Sequence, residues 1–300
     1  MRPRSRSLVR NAWEAIKRSA PDGVFSRLQF ARHHGRLPNI TRPRTFSEMI
    51  LRQRLRDDSR ALAPFVDKVA VRSYVAETIG DRHVIPLYDT FASGNDIDGD
   101  RLPPQFVLKA NHGSGFVRIV NRHQGEPDWA ALRVLVDRWL ATDYGALHRE
   151  RAYSHVPRIA FAERFLEAHG GTSPVDVKCF VFDGVVRLVQ LDLDRHTRHT
   201  RALLTPTGET IAAAYRYPRP DGPIALPRHW NDALATAERL ARPFDFVRVD
   251  LYLHEDQVWF GELTFYPLAG IGRFDPAAFD IELGGVWRDK RPVTDAWIIS

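Results

Sequence analysis

Four side chains near the C-terminus, Arg248, Asp250, Glu262 and Thr264, are of the types that handle a divalent cation and a phosphoryl group, and their spacing lets them meet. Phe246 to Leu253 and Val258 to Phe265 alternate in the manner of two strands. Successive strand side chains take opposite faces, so Arg248 and Asp250 share one face while Val247, Val249 and Leu251 take the other; Glu262 and Thr264 also share a face. With a three-residue turn, Glu255-Asp256-Gln257, Asp250 faces Glu262 and Arg248 faces Thr264. Two carboxylates opposed at about 5 Å between Cβ atoms repel unless a cation lies between them. Magnesium held by carboxylates and substrate phosphates meets that need. A two-residue turn would send the carboxylates to opposite faces, and a plain surface hairpin would then be the reading.

A second constellation points the same way. Lys109 ends an apolar run, Gln105 to Lys109, just before Asn111-His112-Gly113-Ser114-Gly115, which brings an ammonium beside a loop of exposed backbone N–H groups. Phosphate suits that pairing. The loop is neither a P-loop nor a Rossmann fingerprint, and alone it also reads as a tight turn. Lysine is rare here: of 43 basic residues only Lys17, Lys68, Lys109, Lys178 and Lys290 are lysines. A compact ammonium reaching between phosphate oxygens is one reason to keep lysine where arginine is the habit. Other features carry less. Asp192-Leu193-Asp194 matches the D-x-D of metal-dependent glycosyltransferases but ends a strand-like run; His33-His34 and His196-Thr197-Arg198-His199 sit in arginine-rich stretches where solvated histidines are the rule. Cys179, the only cysteine, falls inside a strand pattern and reads as a packed thiol.

The elements that must position these groups are legible in outline. Asp67 to Ile79 reads as an amphipathic helix with Asp67 and Lys68 in its first turn; Phe116 to Val120 pairs with the Lys109 strand; Trp129 to Leu140 is a helix; Arg158 to Phe165 is a strand. Val175 to Phe182 and Val185 to Leu193 form a hairpin through Asp183-Gly184, with Asp176 and Lys178 on one face. Residues 194 to 229 read as a long loop, Trp230 to Ala241 as a helix and Pro267 to Gly272 as a loop. Hairpins predominate over βαβ units, so the expected class is α+β.

Composition sets the frame. The chain of 300 residues is 44% hydrophobic and 27% charged, ordinary for a globular protein. Residues 1 to 60 hold 15 Lys+Arg against 5 Asp+Glu, while the rest is slightly acidic. That block reads as a basic helical extension, fit for an anionic membrane surface, a nucleic acid, an acidic polymer or plain solvent. No apolar run reaches the roughly 18 to 20 residues of a membrane span, and one cysteine excludes an internal disulfide, so a cytoplasmic setting is expected.

Taken together, Thr45-Phe46-Ser47-Glu48, Val66 to Arg72, Phe106 to Gly115, Asp176 to Phe180, Phe246 to Tyr252 and Gly261 to Pro267 resemble the ATP-grasp superfamily, and within it the TupA-like proteins of bacterial polysaccharide biosynthesis. The resemblance covers residues 45 to about 285 in the family's order. It implies two α+β lobes clasping ATP, here 61–160 and 161–300, behind the extension 1–60, and an ATP- and magnesium-dependent carboxylate-amine ligase working through an acyl phosphate. By the same resemblance Lys109 and Lys68 contact phosphates, with His112, Gly113, Ser114 and Gly115 folding over them. Glu163 to Leu166 reads adenine and Lys178 reaches the nucleotide. Asp250 and Glu262 hold magnesium, and Arg248 neutralises charge on the transferred group. Thr264 stands at the last metal-ligand position, where D-alanine:D-alanine ligases have asparagine. The implied acceptor is an acidic small molecule or saccharide, with no nucleic acid partner, and the implied location is the cytoplasm, in reach of the inner membrane face. Arg195, Arg198, Arg201 and the loop from Gly270 to Arg273 are the basic residues available to line the acceptor's site. The alternatives are a metal-dependent glycosyltransferase and a non-catalytic ATP-binding module.

Overall fold

The computed structural model describes residues 19–56, 59–166, 174–193 and 199–299. Helices α1 (Asp22–His34), α2 (Phe46–Arg56), α3 (Ser59–Val66) and α4 (Val71–Ile79) lead into strands β1 (Leu87–Phe91), β2 (Gln105–Ala110) and β3 (Val117–Asn121). Helices α5 (Trp129–Ala141) and α6 (Tyr144–His148) follow, then strands β4 (Ala160–Arg164), β5 (Val175–Phe182), β6 (Val185–Leu193), β7 (Thr200–Leu204) and β8 (Ala214–Tyr215). Helix α7 (Trp230–Ala241), the hairpin of β9 (Phe246–His254) and β10 (Gln257–Thr264), strand β11 (Phe274–Asp275) and helix α8 (Ala278–Asp289) complete the chain.

The strands build two antiparallel sheets, one ordered β1-β4-β2-β3 and the other β10-β9-β5-β6-β7, with β8 and β11 paired as a short ribbon. Antiparallel sheets built from hairpins and packed against helices make this an α+β chain. The first sheet packs Phe106, Leu108 and Val120 against Leu132, Val136 and Trp139 of α5. The second packs Cys179, Val181, Val247 and Val249 in one core with Ala233, Ala237 and Leu240 of α7. Cys179 is fully buried and burial pushes its thiol up, as suits a packing residue. Its other face carries buried polar groups: Asp176, Lys178, Gln190, Asp192 and Asp250. An antiparallel sheet often gives its second face to water; here one end of that face packs Phe180, Phe182 and Phe246 against Phe46 of α2 and Trp287 of α8, and the other end carries the polar groups.

Local chemistry explains several element boundaries. Thr45 and Glu48 form a reciprocal capping box at α2: Glu48 N donates to Thr45 Oγ1 at 3.2 Å, and Thr45 N donates to Glu48 Oε2 at 3.2 Å. Asp128 and Asp143 cap α5 and α6, accepting from Ala131 N and Ala146 N, each at 2.9 Å. Helix α4 begins at Val71, four residues later than its apolar spacing suggested. Asp67 Oδ1 accepts from Val69 N at 2.8 Å and Ala70 N at 3.1 Å, a turn that stops the helix short and leaves Lys68 outside it.

The stretch expected as a long loop, 194 to 229, contains β7, every residue of which is buried, paired with β6, and also β8. Burial on both faces removes the alternation that marks a strand, and Arg201 hides its charge by pairing with Asp192 at 2.6 Å. Within the described part of the basic N-terminal segment, α2 packs on the second sheet's core: Phe46 stands among Phe180, Phe246 and Phe274, and Ser47 N donates to Asp280 Oδ1 at 2.9 Å. Among the described residues no helix is long and apolar enough to cross a membrane.

Candidate functional site

The hairpin of β9 and β10 reaches the expected pairing by an unexpected route. Its turn is the two-residue Glu255-Asp256, both at positive φ (51° and 55°), the form that right-handed strand twist favours. From Gln257↔His254 to Phe260↔Leu251 the register is that of a two-residue turn, which would put Asp250 and Glu262 on opposite faces. A bulge between Phe260 and Glu262 then shifts it by one, giving Glu262↔Asp250 and Thr264↔Arg248. Gly261 is the residue the bulge needs: a Cβ there would lie 2.9 Å from the Asp250 carbonyl oxygen. The three-residue turn is therefore corrected, and the face-to-face carboxylates stand.

Strand β9 lies between β10 and β5, and β5 pairs Lys178 with Asp250. A row of Lys178, Asp250 and Glu262 thus crosses three strands on one face. Lys178 Nζ lies 2.6 Å from Asp176 and 2.9 Å from Asp250. Arg248 grips Asp250 with Nε at 2.6 Å and Nη2 at 2.7 Å, donates to Thr264 Oγ1 at 3.1 Å and lies 3.7 Å from Glu262. Lys68 reaches Glu262 at 3.2 Å, while its backbone N–H donates to the Asn111 carbonyl, so one residue ties the glycine loop to the hairpin. In this arrangement the repulsion between the carboxylates is met by Lys68, Lys178 and Arg248. Burial opposes ionisation of Glu262, but Lys68, Arg248 and Lys178 outweigh it and bring the carboxyl down to about 2.

Oxygen donors on one face suit magnesium. Glu262 keeps 32% of its side chain exposed, and the Thr264 hydroxyl donates to it at 3.2 Å; Asp250 lies behind, nearly buried. Among the described residues no three His, Cys, Asp or Glu side chains gather as a metal cage, so an ion bound to this pair would complete its shell with phosphate oxygens and water.

Around the glycine loop the expected residues divide. Lys109 pairs with Glu163 at 2.5 Å, and Arg72 approaches the same carboxylate at 3.6 Å. Gly113 packs on the Tyr144 ring, 2.6 Å from where its Cβ would be, Gly115 takes φ 83°, and Ser114 is exposed. His112 turns inward instead: it is 1% exposed, with Nε2 at 3.1 Å and 3.2 Å from the carbonyls of Trp139 and Thr142, and burial lowers its pKa. Its side chain anchors the loop to α5 and does not enter the cleft. Leu166 is buried with Ile85 and Trp259. Lys178, on the strand beside the hairpin, is held between Asp176 and Asp250.

One cavity of about 670 Å³ brings Ser114 together with Arg248, Glu262 and Thr264. Its wall also includes Glu150, Tyr144 and Tyr153, which sequence reasoning passed over: Arg149-Glu150-Arg151 looks like a solvated charge run. Glu150 is in fact 9% exposed, and burial pushes its carboxyl up to about 7, with Arg54 easing and Glu262 adding to the shift. Of the acceptor candidates, Arg273 lines this cavity, whereas Arg201 is taken up by Asp192 and by the Tyr215 carbonyl at 3.1 Å. Residues 194–198, with Asp194, Arg195, His196 and Arg198, lie outside the described residues. Asp192, bound to Arg201, is a structural carboxylate of β6: burial opposes its ionisation, and Arg201 overcomes this to hold it at about 2. The glycosyltransferase reading therefore loses its leading residue.

No curated protein sequence matches the chain. Among solved structures it is similar to D-alanine–D-alanine ligase from Bacillus anthracis complexed with ATP (14% identity over 68% of this chain and 54% of that one, TM-score 0.40). It is also similar to L-amino acid ligase from Bacillus licheniformis (12%, 94% and 62%, TM-score 0.45) and phosphoribosylamine–glycine ligase from Thermotoga maritima (12%, 78% and 57%, TM-score 0.44). The chain spans less than two thirds of the length of each. A family model described as TupA-like ATPgrasp matches residues 48–288, a span holding the glycine loop, both sheets and the carboxylate hairpin. The chain belongs to the TupA-like ATP-grasp family.

Proposed function

We propose that the protein is an ATP- and magnesium-dependent ligase that joins a carboxylate to an amine, with residues 61–160 and 161–300 as the two lobes around the nucleotide. The observation that carries this reading is the row of Arg248, Asp250, Glu262 and Thr264 on the cleft face of one hairpin, tied through Lys68 to the glycine loop. Lys68, Lys109 and the backbone N–H groups around Ser114 bind and orient the phosphates. Arg248, already fixed by two hydrogen bonds to Asp250, presents a preorganised positive charge to the phosphoryl group as it transfers. Asp250 and Glu262 would hold magnesium, which supplies charge neutralisation on the phosphate oxygens. The substrate carboxylate attacks the terminal phosphorus, ADP leaves, and the amine then displaces phosphate from the acyl phosphate. The buried polar walls of the cleft protect that intermediate from water.

An acceptor from cell-surface polysaccharide biosynthesis, and a place at the inner face of the membrane, are the expectations that accompany the family. The test is ATP binding by calorimetry with and without magnesium, on the natural sequence and on Asp250→Asn with Glu262→Gln. Magnesium-dependent binding that the double substitution weakens at least about tenfold supports the reading. Equal binding in both proteins refutes the metal role of the hairpin. Magnesium-dependent binding with no ADP formed alongside any carboxylate-amine pair would point to a non-catalytic ATP-binding module.

A further inference from the structure

We infer that Arg216 and Arg273 form a carboxylate-binding subsite for the second substrate, in the cleft wall made by the β8–β11 ribbon. The inference rests on the reading of this cavity as the site of the ATP-dependent reaction, and it names what the other half of the cavity recognises.

The argument begins with which charges are already balanced. Every cation placed near the nucleotide's phosphates has a carboxylate partner in the protein: Lys68 with Glu262, Lys109 with Glu163, Lys178 with Asp176 and Asp250, and Arg248 with Asp250. Arg216 and Arg273 line the same cavity and are exposed to it, yet among the described residues neither makes an ion pair or a side-chain hydrogen bond. Arg216 rests only over the Tyr217 ring, 5.6 Å from its centroid. Arg273 has further basic company: burial lowers the pKa of His33, another residue of the cavity wall, and Arg32 and Arg273 depress it further. Two guanidinium groups left uncompensated in a concave site are a standing demand for an anion.

The ribbon sets the two arginines side by side. Tyr215 pairs with Phe274 and Ala214 with Asp275, and Arg216 N donates to the Arg273 carbonyl at 3.3 Å. Arg216 adopts φ 66°, a left-handed conformation that is unfavourable for a non-glycine residue and is retained where the surroundings require it. Gly272 lets the ribbon close on itself, since a Cβ there would lie 2.5 Å from the Tyr215 hydroxyl. A planar fork matches a carboxylate with two parallel N–H···O bonds. Gln29 supplies a third, independent sign of a ligand. Its Oε1 is buried in the same wall with no hydrogen-bond partner, an acceptor suited to an N–H or O–H next to that carboxylate.

An amino acid and a hexuronate both carry a carboxylate beside such a donor. The test titrates L-aspartate, galacturonate, their methyl esters and inorganic phosphate into the full chain by calorimetry, on the natural sequence and on Arg216→Gln, Arg273→Gln and Arg273→Lys. The expected result is binding of at least one carboxylate, loss of at least about tenfold in affinity on esterification, and a weakening of roughly ten- to a hundredfold in either glutamine variant, with Arg273→Lys retaining part of it. Which acid binds tells the two sources apart. The inference is overturned if no carboxylate binds at tens of millimolar, if ester and acid bind alike, if the glutamine variants bind as the natural sequence does, or if inorganic phosphate displaces the acids. ATP binding is measured on the same samples: carboxylate binding that depends on the arginines in a protein without magnesium-dependent ATP binding sinks the ligase reading and leaves the subsite standing, and the reverse pattern sinks the subsite alone.

Discussion

Replacing Glu150 with glutamine is expected to make the protein progressively more stable than the natural sequence as pH rises above about 4.5, and the size of the effect follows from its surroundings. The carboxyl, 9% exposed, is raised from 4.5 to about 7, chiefly by burial. Below about pH 4.5 it is protonated both in the folded protein and in the unfolded chain, so it has no effect on stability there. Between 4.5 and 7 the unfolded chain has lost its proton while the folded protein keeps it, and stability falls as pH rises. Above 7 the whole cost is present, roughly 2.5 units at about 1.36 kcal/mol each, or about 3 kcal/mol. Glutamine carries no such cost. The stability difference between Glu150→Gln and the natural sequence should therefore grow from near zero at pH 4.5 to about 3 kcal/mol at pH 8, read by urea unfolding at four or five pH values. A difference that stays flat across this range would show that Glu150 ionises as an exposed carboxyl does, and would refute its burial in the cleft wall. Retention of a group that destabilises the folded state is the pattern of a functional cleft.

Three further outcomes follow from the geometry. Gly261→Val places a Cβ 2.9 Å from the Asp250 carbonyl, and should cost about 1–3 kcal/mol in thermal unfolding and abolish magnesium-dependent ATP binding in protein that still folds; unchanged binding would mean the bulge does not align the carboxylates. Lys68→Met removes the largest attraction holding Glu262 at about 2. A depressed carboxyl contributes stability that is present above its ordinary 4.5 and lost as pH falls toward 2, so the acid-unfolding midpoint followed by circular dichroism should rise in the variant; an unmoved midpoint counts against the pairing. Asp192→Asn leaves Arg201 buried without its carboxylate and should cost about 3–5 kcal/mol, with ATP affinity retained in the folded fraction; loss of nucleotide binding without loss of stability would favour the D-x-D reading of Asp192.

What the sequence disclosed, and what it withheld, divides along the range of the interactions. Strand alternation and the Asp183-Gly184 turn announce the hairpins, because each is decided by neighbours in the chain. The pairing of Asp250 with Glu262 is legible as a pairing of faces, but the alternation alone suggests a turn one residue longer than the observed Glu255-Asp256 and gives no place to the bulge. The two errors cancel, since a bulge restores the shift that a shorter turn removes. Gly261 was the available sign, a glycine inside a strand pattern. Strand β7 was invisible because all five residues are buried and one of them is an arginine whose partner lies nine positions away. Thr45 and Glu48 carry a Thr-x-x-Glu spacing, and their reciprocal hydrogen bonds are a purely local consequence of it. Glu150 and Arg216 could not be singled out at all: their environments come from elements far apart in the chain.

The charge pattern of the cleft bears on why magnesium should matter. On the hairpin side, Lys68, Lys178 and Arg248 stand against Asp176, Asp250 and Glu262, three cations against three carboxylates. A free polyphosphate entering this set gains the cations only by competing with carboxylates that already hold them, and it brings its own repulsion toward those carboxylates. A polyphosphate arriving with a divalent ion would reverse the second effect: Glu262 would be among the residues holding the ion, and Lys68, which pairs with Glu262 at 3.2 Å, would be free to reach a phosphate oxygen. The network that neutralises these carboxylates would thus become the set of contacts that favours the metal-bound nucleotide over the free one. On this argument Lys68→Met should narrow the difference between ATP affinity with magnesium and without it from the side of the complex, lowering magnesium-ATP affinity more than that of ATP alone. Equal losses in the two conditions would mean that Lys68 contacts phosphate without ever exchanging with Glu262.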